Sequence, residues 1–174
     1  LSSSASLEIG AALALLALAG RKPLPAAQLA RAGQEAEHRY AGVKCGIMDQ
    51  SIVAAARAGQ ALLLDCRNGA ARHVPVALGA WAFAVFDTGV RHALAATEYN
   101  TRWRECRSAA RKLRVPSLRA ATLETLLARG GRLELCEYRR ARHVVTENQR
   151  VADFARFLAE GNLPALGRLL DTSH

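Results

Sequence analysis

The chain has 174 residues, 51% of them apolar and 22% charged, enough to bury a core as one domain or as parts of two. This composition excludes a disordered tail, and the wealth of alanine and leucine favours helices. The net charge of +9 is mostly arginine spread along the chain, and the aromatics (5%) form no stacking platform, so no nucleic-acid partner is expected; an anionic small ligand such as a nucleotide accounts for the charge equally well.

A serine run, Ser2-Ser3-Ser4-Ala5-Ser6, precedes an apolar helix predicted from Leu7 to Ala19 and stopped by Gly20. That run is too short to span a bilayer, carries Glu8 and lacks a basic leader, so no membrane segment is expected. The chain starts without Met, which suggests a piece of a longer protein. Pro23 and Pro25 mark a turn. A second helix follows from Ala26 to Tyr40, with Leu29, Ala32 and Ala36 inward and Gln34, Glu35, His38 and Arg39 mostly outward. Gly42 to Gly46 links it to a third helix, Ile47 to Ala58.

The pattern then turns β-like. Gln60 to Cys66 reads as a strand ending in the turn Arg67-Asn68-Gly69, with His73 to Leu78 as its partner, although Pro75 prefers an edge. Trp81 to Phe86, WAFAVF, reads as a buried third strand. Helices are predicted over Tyr99 to Leu113, Leu118 to Arg129, Glu137 to Glu160 and Leu163 to Leu170, with Pro116 and Gly130-Gly131 as breaks. Three helices, a small sheet and four helices make an α+β fold.

Four cysteines, Cys45, Cys66, Cys106 and Cys136, show no C-x-x-C spacing and read as reduced, mostly packed thiols of a cytosolic protein. The five histidines, His38, His73, His92, His143 and His174, form no helical i, i+3 or i, i+4 pair, which argues against zinc. No G-x-S-x-G or G-x-G-x-x-G motif is present.

Two segments carry chemistry. Serines opening a helix are either an N-cap with a flexible serine run or an anion site, where free N–H groups and the helix dipole favour phosphate and a hydroxyl can join a Mg²⁺ shell. In GVKCGIMDQ, Gly42 to Gln50, Asp49 heads an apolar helix beside Ile47 and Met48. It is either a first-turn helix acid or a base held before a pocket. Glu37, twelve residues earlier, meets Asp49 only through the fold; alone it reads as a solvated helix-face charge, together with Asp49 as the acid that holds a metal. Arg91, His92 and Tyr99 follow a strand end, where a ligand or ordinary polar packing would use them.

Together, LSSSASLE (Leu1 to Glu8), QEAEHRYAGVKCGIMDQ (Gln34 to Gln50), ALLLDCR (Ala61 to Arg67), VRHALAATEYNTRWREC (Val90 to Cys106), RRARHVVTENQRV (Arg139 to Val151) and GNLPALGRLLDTSH (Gly161 to His174) resemble the galactokinases of the GHMP kinase family. The resemblance covers nearly the whole chain in family order. It implies a two-lobed GHMP-kinase fold, incomplete at both ends, with residues 1–80 the end of the ATP-binding lobe and 81–174 the start of the second lobe. It implies ATP-dependent phosphorylation of galactose at the C1 hydroxyl, with Mg²⁺, in the cytoplasm. By resemblance Ser2, Ser3 and Ser4 contact ATP, Ser4 and Glu37 hold Mg²⁺, Asp49 is the catalytic aspartate at the sugar hydroxyl, and Tyr99 contacts galactose.

The sequence departs from the family pattern in places. The N-terminal GRVNLIGEHTDY-type signature, the glycines before LSSSAS and the C-terminal GGGFGG-type motif are absent from these 174 residues, so the segment alone is expected to have little activity. Ser51 stands where a bulky apolar residue is usual, which weakens packing, and Asp87-Thr88-Gly89 replaces a more common Asn-containing triplet. An N-acetylgalactosamine kinase, and a non-catalytic sugar and ATP sensor or inactive remnant, are the alternative readings.

Overall fold

The computed structural model describes residues 2–87, 89 and 95–174. Helix dominates, with one small sheet, as the α+β expectation requires. The chain divides into two compact units, one ending at Val76 and one running from Ala77 to His174.

The first unit packs three helices and a hairpin. Helix α1 spans Ser3–Leu18, four residues earlier than its apolar run predicts, because the serines enter the first turn. It buries Ala5 and Ile9 and leaves Leu7, Leu15 and Leu18 exposed. Helix α2, Ala26–Ala36, buries Leu29, Ala30 and Gly33; Ala32, expected inward, is exposed. The predicted continuation to Tyr40 is instead one π-helical turn, Glu37–Ala41, ended by Gly42 at φ 70°. Gln34 and His38, expected outward, are half-buried, and both reach the Cys45 carbonyl, at 3.1 and 2.9 Å. Those two bonds pin the Gly42–Gly46 link. Helix α3, Met48–Ala55, packs on α1 and α2 and stops short of the predicted Ala58.

Strands β1 (Gln60–Asp65) and β2 (Ala70–Pro75) form an antiparallel hairpin with Gln60 opposite Pro75 and Asp65 opposite Ala70. The second strand starts three residues before the expected His73. The turn closes at once, with the Gly69 N–H donating to the Asp65 carbonyl at 2.9 Å and Gly69 at φ 74°. Pro75, which has no N–H, is the last residue of β2, and the Val76 N–H beyond it donates to the Gly59 carbonyl at 2.9 Å.

In the second unit, helix α4 (Ala95–Leu113) packs against α5 (Leu123–Arg129) and α6 (Leu135–Glu160), and α6 against α7 (Leu163–Ser173). The core is Ala109, Ala110, Leu113, Leu118, Leu126, Ala141 and Val145. The predicted helix from Leu118 is broken: one 3₁₀ turn, Leu118–Ala120, precedes α5. Thr122 causes the break, its hydroxyl accepting the Thr125 N–H at 3.1 Å as an N-cap. Helix α7 runs three residues beyond Leu170, because the Ser173 hydroxyl docks on the Glu147 carboxylate of α6 at 2.6 Å.

The expected third strand is corrected. Residues 81–87 form no strand, and Trp81, Phe83, Val85 and Phe86 are exposed; only Phe83 finds a ring partner, Phe154, at 6.4 Å. An apolar run becomes a strand only when a neighbour completes its hydrogen-bond ladder, and the sheet of the described residues has two strands. The cysteines are free, but only Cys45 and Cys106 are half-buried while Cys66 and Cys136 are exposed.

Candidate active site

The chemistry-bearing side chains of the first unit converge where α1 begins. Ser2 precedes the helix in a left-handed conformation, φ 51° and ψ 38°, rare for a residue with a Cβ. Its hydroxyl caps no backbone N–H, and its carbonyl accepts both the backbone N–H and the hydroxyl of Ser6 at 3.0 Å. The capping reading of this serine is therefore set aside. The N–H groups of the first turn have no carbonyl within the helix to bond, and they add to the dipole's positive end.

Ser4 lies beside the π-helical turn, where its hydroxyl favours the charged form of the Glu37 carboxyl. That turn re-aims Glu37 away from the α-helical path, a device common at functional sites. Glu37 is half-buried, not the solvated charge that its helix position alone suggested. A carboxyl with no site role in the sequence reading joins it. Glu8, one turn beyond Ser4, interacts with Glu37 and raises its pKa from the ordinary value. Desolvation and the Glu8 charge raise it further, while Ser4 and His38 oppose the shift. Glu8 Oε2 also accepts from Gln50 Nε2 at 3.1 Å.

The structure thus gathers Ser4, Glu8, Glu37 and Gln50 into one cluster, with Gln50 bonded to Glu8 and with Glu8 and Ser4 acting on the Glu37 carboxyl. Asp49 is exposed in the first turn of α3, one residue before Gln50, and heads the helix as expected. A cavity of about 320 Å³ between α2, α3 and the hairpin is lined by Ile47 and Ser51 but not by Asp49. Burial pushes the Cys45 thiol pKa up, with the Glu37 charge adding to it.

Tyr99 belongs to the second unit. It is exposed on α4 and borders an open cavity of about 650 Å³ with Arg102, Trp103, Cys106, Arg140 and His143. Arg140 there is bonded to Glu105 at 2.8 Å. Arg91, His92 and Thr88 lie outside the described residues.

A Mg²⁺ ion would find suitable donors in the first unit. Mg²⁺ takes hard oxygen ligands and commonly uses one or two carboxylates, with phosphate and water completing the shell. Ser4 and Glu37 supply hydroxyl and carboxylate oxygens on neighbouring turns, and two neighbouring acids, Glu8 and Glu37, are an arrangement that a cation relieves.

Residues 1–57 match the GHMP kinases N terminal domain. The fold is similar to that of the galactokinase of Lactococcus lactis, solved as a complex with galactose, at TM-score 0.93 and 32% identity over 99% of this chain. The chain spans 45% of the length of that galactokinase. No helix of the described residues is long and apolar enough to cross a membrane. Over its first third the sequence matches the GHMP kinases N terminal domain, and over nearly its whole length the fold is galactokinase-like.

Proposed function

We propose that this chain is part of a galactokinase, which transfers the γ-phosphoryl group of ATP to the C1 hydroxyl of galactose and releases galactose 1-phosphate, ADP and a proton. The observation that carries the reading is an uncapped, serine-rich helix start with Glu37 beside it, on a fold like that of a galactose-bound galactokinase.

The chemistry follows from charge and position. The first turn of α1 offers N–H groups and the hydroxyls of Ser2, Ser3 and Ser4 to the phosphates of ATP. Ser4 and Glu37 are the residues that would hold Mg²⁺, which when bound neutralises charge on the transferring group. Asp49 accepts a hydrogen bond from the sugar hydroxyl and takes its proton as the new O–P bond forms. Phosphoryl transfer has a loose transition state, so orienting that hydroxyl is a large part of what a protein can contribute. Tyr99 is assigned to the sugar. Residues 1–80 are assigned to the ATP-binding lobe, 81–174 to the start of the second lobe, and the protein to the cytoplasm, a compartment that suits four free cysteines.

The deciding experiment uses the full-length product of the gene that encodes this chain. Asp49→Asn should lower galactose 1-phosphate formation by about 10²–10⁴-fold and leave ATP affinity within a few-fold of wild type. Wild type that turns over N-acetylgalactosamine in preference to galactose would change the substrate. Wild type that binds sugar and ATP without forming product would make the protein a sensor.

A further inference from the structure

Gln50 is the most buried polar residue of the first unit, at 2% exposed, and it follows the exposed Asp49 directly. Its amide crosses to α1, where Nε2 donates to Glu8 Oε2 at 3.1 Å, a contact spanning 42 residues of sequence. Its Oε1 is buried with no hydrogen-bond partner among the described residues. Leaving a buried carbonyl unpaired is costly, so the amide orientation is set by the carboxylate that Nε2 serves. Helix α2 admits this crossing only through Gly33. A Cβ there would stand 3.1 Å from both Gln50 Cγ and Glu8 Oε2. Three helices therefore meet on one hydrogen bond, with the serine turn one helical turn away along α1 and Asp49 one residue away along α3.

We propose that Gln50 is a positioning residue, and that its bond to Glu8 fixes the first turn of α3, and so the Asp49 carboxylate, against the phosphate end of α1. This deepens the kinase reading and rests on it. Asp49 and Gln50 share one turn but point apart, so a clamp on one side chain sets the direction of the other. Misplacing a reacting group by about 1 Å costs about 10²-fold in rate. The effect belongs in kcat, because the bond lies outside the groups assigned to ATP.

The test uses the full-length product. Gln50→Leu should lower kcat with galactose about 10- to 100-fold and change KM for ATP less than about twofold. The reciprocal double variant Glu8→Gln/Gln50→Glu restores an amide–carboxylate bond in the opposite sense and should exceed both single variants in kcat by about fivefold or more. Leu29→Val, a buried core change on α2, controls for lost stability. Amide exchange adds a readout independent of catalysis: Gln50→Leu should speed exchange at residues 50–52 more than Leu29→Val does. If Gln50→Leu does not fold, Gln50→Asn, one methylene too short to reach Glu8, carries the same comparison. Kinetics and exchange no worse than in Leu29→Val, or a double variant no better than the singles, would overturn the proposal. A wild type without phosphoryl transfer sinks the kinase reading, while exchange still decides whether the bond holds the turn.

Discussion

Lys112 Nζ lies 2.7 Å from Glu137 Oε2 and joins α4 to α6. The same oxygen accepts the Glu134 N–H at 2.9 Å, so one buried carboxylate both closes the start of α6 and ties it to its neighbour. Burial pushes the Glu137 carboxyl up, but Lys112, Ser108 and the Glu134 N–H outweigh it and bring its pKa to about 2. A depressed carboxylate stabilises the fold fully above its unfolded value, near 4.5, and loses that contribution as pH falls toward 2. Glu137→Ala is expected to cost about 2–4 kcal/mol at pH 7, since it leaves Lys112 and the helix start unpaired. Its deficit against wild type should shrink between pH 4.5 and pH 2 in thermal unfolding.

Arg114 ends α4 in a left-handed conformation at φ 58°, with the Val115 N–H donating to the Ala110 carbonyl at 3.0 Å. This C-terminal cap favours glycine, because a Cβ is strained there. Arg114→Gly should raise stability by about 0.5–1 kcal/mol, read as a higher urea midpoint at unchanged slope. An equal or lower midpoint would show that the arginine side chain outweighs the backbone strain.

Ser51 borders the cavity of about 320 Å³ beneath α2 and α3, together with Ala30, Ala55 and Leu64. Ser51→Val should fill part of the void and stabilise the protein by about 0.5–1.5 kcal/mol, checked by the shift in melting temperature.

Glu37 is held next to a second acid, so its folded pKa lies above the unfolded value. Such a carboxyl favours folding less as pH rises from the unfolded value through the folded one. Glu37→Gln should therefore melt about as high as wild type or higher at pH 7 without added cation. Its phosphoryl transfer should need a higher Mg²⁺ concentration and fall about 10²-fold at saturation. Activity that tracks wild type at every Mg²⁺ concentration would remove Glu37 from the metal site.

Local chemistry made much of the first unit readable. Pro25 before Ala26, Gly42 after the second helix and the Arg67-Asn68-Gly69 turn act within a few residues, so their effects are written in neighbouring letters. The serine run and Asp49 at a helix head were legible for the same reason. Glu8 was not: in the sequence it was only a charge interrupting an apolar run, and its meeting with Glu37 and Gln50 depends on how three helices cross at Gly33. The π-helical turn that aims Glu37 leaves no mark in the apolar spacing, because it answers to bonds from Gln34 and His38 to a distant carbonyl.

WAFAVF marks the boundary between the two kinds of information. Its letters determine an extended, apolar segment, since bulky residues at those positions favour extended backbone. Whether it becomes a strand depends on a neighbour that offers carbonyls and N–H groups, and the described residues supply none beside it. The sequence alone settled which segments are helical, the hairpin turn and the residue types available for phosphate chemistry, because those depend on torsions and nearest neighbours, whereas helix ends moved by several residues. Tertiary structure alone decided which acids lie together, which amide is buried and which apolar run stays exposed, because those energies exist only once segments distant in the chain exclude water between them.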